Sequence, residues 1–214
     1  MALWGGGFGE QTQKCVQDFT QSVSYDKRLY RHDIAGSMAH AAMLGAAGII
    51  PKESADAICR KLAKIRRDID AGKMEFKAEL EDIHMHIETA LTEALGAEGA
   101  RVHTARSRND QVALDIRLYL RDEIDELITR LKALQPALVR QADANRETIM
   151  PGFTHLQHAQ PVLLAHHLLA YVDMLQRDAD RLAAVRKRVN VMPLGSGALA
   201  GTTPPIALAY CRPT

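Results

Sequence analysis

The densest collection of polar chemistry in this chain lies between two prolines, in Pro151-Gly152-Phe153-Thr154-His155-Leu156-Gln157-His158-Ala159-Gln160-Pro161. A hydroxyl, two imidazoles and two carboxamides in eleven positions can orient a polar ligand and move a proton. A histidine titrating near pH 6.5 gives or takes a proton at neutral pH. His155 and His158 both qualify, and their spacing does not rank them. A second cluster, His103-Thr104-Ala105-Arg106-Ser107-Arg108-Asn109-Asp110-Gln111, offers two guanidinium groups that can fork onto carboxylates, with amide and hydroxyl groups beside them. A third runs from Ser22 to Asp26 and a fourth from Glu81 to Glu88. Glu81-Asp82-Ile83-His84 matches the Glu-x-x-His element of helical di-iron bundles, but those bundles carry it twice and this chain has it once. His84 and Glu88, four apart, are expected to form an ordinary surface pair. No metal and no organic cofactor is expected, and no glycine-rich phosphate loop or dinucleotide fingerprint occurs. The residues alone point to a helical protein that binds a small carboxylate, with histidine acid–base work within its means.

These groups need a scaffold, and its pattern is helical. Ile58, Leu62, Ile65 and Ile69 recur by four and three between Pro51 and Gly72, and Ile83, Ile87 and Leu91 do the same before Gly96. One helix is expected from about Asp26 to Ala47 with Gly48 as its stop, and another from about Glu79. Ser107 followed by Asp110 reads as a helix start with the serine as N-cap. Leu120, Ile124, Leu127, Leu131, Leu134 and Leu138 then form a seam on a helix of roughly 40 residues, about 60 Å long. Pro136 should bend it or break it locally. Leu164, Leu168, Tyr171, Leu175, Leu182 and Val185 continue the register after the proline-bounded stretch, which is expected to be a polar hinge with Pro161 opening the second helix. Asp178 in that seam predicts a polar contact. Helices joined so closely must run antiparallel, and each has more apolar surface than one partner can cover. The fold expected is all-α: a small helical domain over residues 1–106, then long antiparallel helices of a central bundle over 107–214.

Composition excludes several alternatives. With 27 basic and 26 acidic residues the net charge is +1, so no global field draws the chain to nucleic acid or to an anionic membrane. Three scattered cysteines without a CxxC pair suit a reduced, cytoplasmic setting. The first residues lack the pattern of a signal peptide, and no apolar run spans a bilayer.

The motifs Leu3-Trp4-Gly5-Gly6, Ser22-Val23-Ser24-Tyr25-Asp26, Glu81-Asp82-Ile83-His84, the 103–111 stretch, Pro151-Gly152-Phe153-Thr154-His155-Leu156-Gln157 and Leu194-Gly195-Ser196-Gly197-Ala198 occur in the order found in argininosuccinate lyases. The chain resembles the N-terminal half of that family, within the fumarase/aspartase superfamily, over about residues 3 to 203. The resemblance implies reversible elimination of fumarate from argininosuccinate, leaving arginine, without metal or organic cofactor. It makes His155 the acid–base histidine and puts Ser22, Asn109 and Thr154 against the substrate. His84 would line the pocket, Arg108 would pair a substrate carboxylate, and Gln157 would belong to the same shell. It also implies a homotetramer whose active sites each draw on three subunits. Two features depart from the pattern. Gly7 replaces an arginine, and the chain leaves the family pattern after about Ile206. The flexible loop with the catalytic serine would lie in the half not represented, so this chain alone is expected to be inactive. Rival readings are a delta-crystallin-like structural protein, another lyase of the superfamily such as adenylosuccinate lyase, and a truncated product kept for binding.

Overall fold

A computed structural model describes residues 13–206. Leu3-Trp4-Gly5-Gly6, Gly7 and the tail beyond Ile206 lie outside the described residues. Helices α1 (Lys14–Thr20) and α2 (Val23–Asp26) lead through a tight turn into α3 (Tyr30–Ala46) and α4 (Lys52–Asp70). Then follow α5 (Ile83–Leu95), the single turn α6 (Ala97–Ala100), the long α7 (Arg108–Ala144), strands β1 (Ile149–Thr154) and β2 (Gln157–Leu163), and α8 (Leu164–Val189). The described chain divides into two compact units, one running to Tyr119 and resuming at Met192, the other spanning Leu120–Val191.

In the first unit the period-four pattern does what it predicts. Ile58, Leu62, Ile83, Ile87 and Leu91 are fully buried and pack with Ile34, Met43 and Leu44 of α3 in one core. Gly48 and Gly72 take φ of +68° and +67°, the left-handed conformation that ends a helix without a side-chain clash. Helix α5 starts at Ile83 rather than near Glu79. Glu81 is left-handed (φ +59°), and Asp82 caps the helix by accepting from the Met85 N–H at 2.6 Å. The expected cap of α7 is present in reciprocal form. The Ser107 hydroxyl accepts from the Asn109 N–H (3.3 Å), and the Asp110 carboxylate accepts from the Ser107 N–H (3.0 Å). Helix α7 runs 37 residues, through Pro136.

The second unit holds the main correction. The stretch between Pro151 and Pro161 is a β-hairpin, and Pro161 lies in β2, three residues before α8 begins. Thr154 pairs with Gln157, so His155 and Leu156 form a two-residue turn, with φ of +50° and +62°. Positive φ at both positions is the twist that suits a hairpin, although Asn-Gly is its usual sequence. A one-residue bulge at Ala159 shifts the register between Gly152 and Phe153. Pro151 faces Pro161. Counting along the ladder from the Leu164 N–H to Thr148 C=O bond (2.9 Å) puts the two prolines at a non-hydrogen-bonded pair, where no cross-strand donor is needed. Prolines read as helix punctuation were strand residues at permitted places.

The hairpin turns α7 back into α8. Asp125 binds Arg186 through both carboxylate oxygens (2.5 and 2.8 Å), and Gln135 donates to the Val172 carbonyl (3.2 Å). Partner numbers fall on one helix as they rise on the other, so the helices are antiparallel, as the short connection requires. Asp178 pairs with Arg181 of its own helix at the surface, not across the seam. Ile124 is buried, while Leu120, Leu127, Leu134 and Tyr171 are 40–47% exposed.

Candidate active site

Three of the four polar clusters belong to the first unit, and there the start of α7 meets the start of α5. A cavity of about 620 Å³ is lined by Asp82, Ser107, Arg108, Asn109, Gly197 and Thr202, among others. Asn109 sits exposed on the first turn of α7, on that wall. Arg108 is held firmly by side chains of its own unit. Its two terminal nitrogens fork onto Glu88 (2.9 and 3.0 Å), and one also donates to the Gln111 side-chain oxygen (2.7 Å). Glu88 further accepts from His103 (3.2 Å) and lies 3.5 Å from Arg106. Burial alone would raise the Glu88 carboxyl, but the His103 hydrogen bond and the Arg108 charge outweigh it and hold it below its usual range. The surface pair expected between His84 and Glu88 does not form. Glu88 turns to the arginines, and His84 turns inward.

His84 is 2% exposed and lies in the core, where its Nδ1 is 3.2 Å from Asp33 and 3.3 Å from Asp115. Gln111 donates to the same Asp33 oxygen at 2.5 Å. Nδ1 facing ionised carboxylate must carry a proton. The two carboxyl groups part company. Burial would raise Asp33, yet the His84 hydrogen bond and charge, with Arg106 and Gln111, pull it below the usual range. Burial and then the Asp33 charge push Asp115 well above it. One oxygen of each is without a hydrogen-bond partner. The three ligand atoms lie within 4.8 Å of one another, so this is where the described residues could hold a cation or a shared proton. Glu81, the other half of the Glu-x-x-His element, is not among them.

Ser22 sits at the start of α2, where the left-handed Glu81 offers its carbonyl to the Ser22 and Val23 N–H groups (2.8 and 3.0 Å). The Ser22 hydroxyl donates to Asp26 (2.6 Å), and the other Asp26 oxygen accepts from the Ile83 N–H (3.2 Å). Burial raises the Asp26 carboxyl above its usual range despite these bonds. The sequence singled out neither Asp33, Asp115 nor Gln111 as partners of the site residues, and it paired Glu88 with His84 rather than with Arg108. A signal existed for one of them: Gln111 lies one turn into α7, three residues past Arg108.

Thr154, His155 and Gln157 belong to the second unit. His155 is the first turn residue, Thr154 and Gln157 close the turn as a cross-strand pair, and all three are exposed. The turn presents the imidazole at the tip of a two-stranded arm, held there by left-handed backbone that a bulky residue adopts at a cost of about 1–2 kcal/mol. His158 is instead set against the Phe153 ring, centroids 4.8 Å apart. The arrangement separates the two histidines that the spacing left unranked.

The chain belongs to the lyase family, whose model matches residues 6–211. Within it, the sequence is 58% identical over 208 residues to the argininosuccinate lyase of Pelotomaculum thermopropionicum and 57% to that of Trichlorobacter lovleyi. Each alignment covers 97% of this chain and 45% of the relative, so the chain spans a little under half the length of these relatives. Among solved structures, an EDDS lyase variant with bound fumarate is similar with a TM-score of 0.77 and 27% identity, over 92% of this chain and 38% of that one. A native fumarate lyase:delta crystallin from Brucella melitensis shares the fold with a TM-score of 0.69 at 21% identity, over 86% and 46%. The all-α fold of the fumarase/aspartase superfamily thus holds, with one small hairpin added to it.

Proposed function

We propose that this chain contributes to the active site of an argininosuccinate lyase, which eliminates fumarate from argininosuccinate reversibly and leaves arginine. The observation that carries this reading is the 56–58% identity to argininosuccinate lyases along nearly the whole chain. The chemistry asks for three things. A base must take the proton beside a carboxylate. Fixed donors must stabilise the second negative charge that then develops there. The departing guanidino nitrogen must receive a proton or a hydrogen bond. His155 on its turn is the acid–base group, and Thr154 and Gln157 beside it bind the substrate. Ser22 and Asn109 hydrogen-bond the ligand from the first unit. Arg108 faces a substrate carboxylate while Glu88 fixes its fork, and His84 supports the pocket from within through Asp33 and Asp115. The working form is a cytoplasmic homo-oligomer in which neighbouring copies and the remaining length of the relatives complete each site. No helix among the described residues is long and apolar enough to cross a membrane.

The test follows fumarate absorbance with argininosuccinate at saturation. The 214-residue chain alone should release none, and activity should appear when a polypeptide supplying the rest of the relatives' length is added. His155→Asn should then lower turnover by about 10²–10⁴-fold with little change in KM. Turnover within a few-fold of the parent would remove His155 from the chemistry. Steady release by the chain alone, abolished in the His155 variant, would show that the chain suffices.

A further inference from the structure

The cavity in the first unit has two walls that are far apart in sequence: Ser107–Asn109 at the start of α7, and the loop from Gly197 to Thr202. Between them stands Asp110, 2% exposed. One of its carboxylate oxygens accepts the Ser107 N–H (3.0 Å), and the other accepts the N–H groups of Gly195 (3.1 Å) and Gly197 (2.8 Å). A helix cap does not require this. The Ser107 hydroxyl already serves as a cap, so the second oxygen, with its two bonds, acts on the loop alone. Beside these bonds, Leu194 is buried in the first unit's core, and the loop has contacts of its own. Ser196 donates to the Pro193 carbonyl (2.7 Å), and Gly201 donates to the Ser196 carbonyl (2.7 Å). Gly197 is left-handed (φ +59°), and a Cβ there would meet the Gly201 carbonyl at 2.9 Å.

We propose that Asp110 is a positioning residue: it clamps the 195–197 backbone to the Ser107–Asn109 turn, and so fixes the width of the carboxylate-binding cavity. This deepens the functional reading above and rests on it for the ligand. A carboxylate suits the task because both its oxygens accept. A carboxamide offers one acceptor, and its NH₂ group would face donors, so Asp110→Asn must release either Ser107 or the glycine pair.

The experiment uses the 214-residue chain, labelled for NMR, with fumarate as the probe. Amide exchange is read at Gly195 and Gly197, fumarate affinity at the Asn109 amide, and global stability by the melting curve. In Asp110→Ala, which removes both acceptors, the two glycine amides should exchange about 10- to 100-fold faster while α3 and α4 amides keep their protection. Fumarate should bind correspondingly more weakly. Gly197→Ala leaves the aspartate in place but strains the backbone it holds, and should weaken fumarate while leaving α7 protected, which keeps the test decisive if the aspartate variant folds poorly. Unchanged glycine exchange in Asp110→Ala overturns the clamp. Released glycines with unchanged fumarate affinity overturn its role in the cavity. A parent chain whose Asn109 amide shows no saturable shift sinks the ligand reading, and the glycine exchange rates then decide the clamp by themselves.

Discussion

Asp33, His84, Gln111 and Asp115 of the first unit are each 1–2% exposed, whereas in the second unit Leu156 is 97% and Phe153 58% exposed. The first unit buries a polar cluster and also exposes Phe19 (90%) and Leu199 (93%), whereas the second exposes apolar groups without such a buried polar cluster among the described residues. In the first unit Asp33, His84, Gln111 and Asp115 tie three helices together through buried contacts, although one oxygen of each aspartate lacks a hydrogen-bond partner. The second has two long helices facing each other along one stripe, with Leu127, Leu134 and Tyr171 uncovered. Apolar surface contributes about 25 cal/mol per Å² when buried. The first unit's buried polar groups are held within it, whereas the second leaves a stripe of apolar surface uncovered.

The largest effect expected comes from breaking the buried network. Asp33→Ala strands the His84 and Gln111 donors and should cost about 3–5 kcal/mol in urea unfolding. Asp115→Asn keeps the shape of a carboxyl group whose ionisation burial and the Asp33 charge disfavour, and should cost less than about 1.5 kcal/mol. Equal losses for the two would erase the asymmetry between the carboxyl groups.

Acid comes next. Burial first, then the Arg106 charge, hold His40 down to about 4, against about 6.5 for a free histidine. Between those values the unfolded chain binds a proton that the folded chain lacks. His40 therefore contributes stability that is fully present above about pH 6.5 and is lost as pH falls toward 4, by up to about 3 kcal/mol. His40→Gln, which can still donate to the Thr104 carbonyl, should flatten the melting temperature between pH 7 and 4. An unchanged slope would put the acid sensitivity elsewhere.

The exposed seam should matter less to folding than to association. In light scattering the parent chain should self-associate, and Leu127→Glu or Leu134→Glu should each weaken that by about 1.5–3 kcal/mol. Monomeric parent chain with a cooperative melt would show that the arm needs no cover. The smallest effect lies at the turn. Leu156→Gly removes a side chain that touches little and relieves left-handed strain, so the hairpin amides should gain about 1 kcal/mol of protection. A loss instead would mean that Leu156 makes a contact worth more than its strain.

How far these features are legible in the sequence follows from their range. The repeats at Ile58, Leu62 and Ile65 and at Ile83, Ile87 and Leu91 are local, and they gave the helices and their buried faces. The Ser107–Asp110 cap is local too. The hairpin was missed because Pro151 and Pro161 are stop signals in a helix and tolerated residues in a strand, and the difference is which pair in the ladder they occupy. His84 was read as a pocket or surface residue because its partners lie 51 and 31 positions away, on helices whose packing no local pattern encodes. Asp110 showed its bond to Ser107 and hid its bonds to Gly195 and Gly197. The motifs of the site were recognised by resemblance, and the groups that hold them in place were not.

One consequence of the facing prolines concerns what the arm refuses to do. At a non-hydrogen-bonded pair both residues point their N–H groups away from each other, toward the two outer edges of the ribbon. Proline has none, so each edge lacks a donor at the same level and carries a ring in its place. A third strand approaching from either side would find its ladder interrupted midway. This matters for an arm that exposes Ile149 and Phe153 on one strand, the kind of apolar edge on which sheets otherwise grow from chain to chain. The ribbon is sealed as a pair, so the exposed surface of this unit can recruit neighbours through its helices but not by extending its sheet.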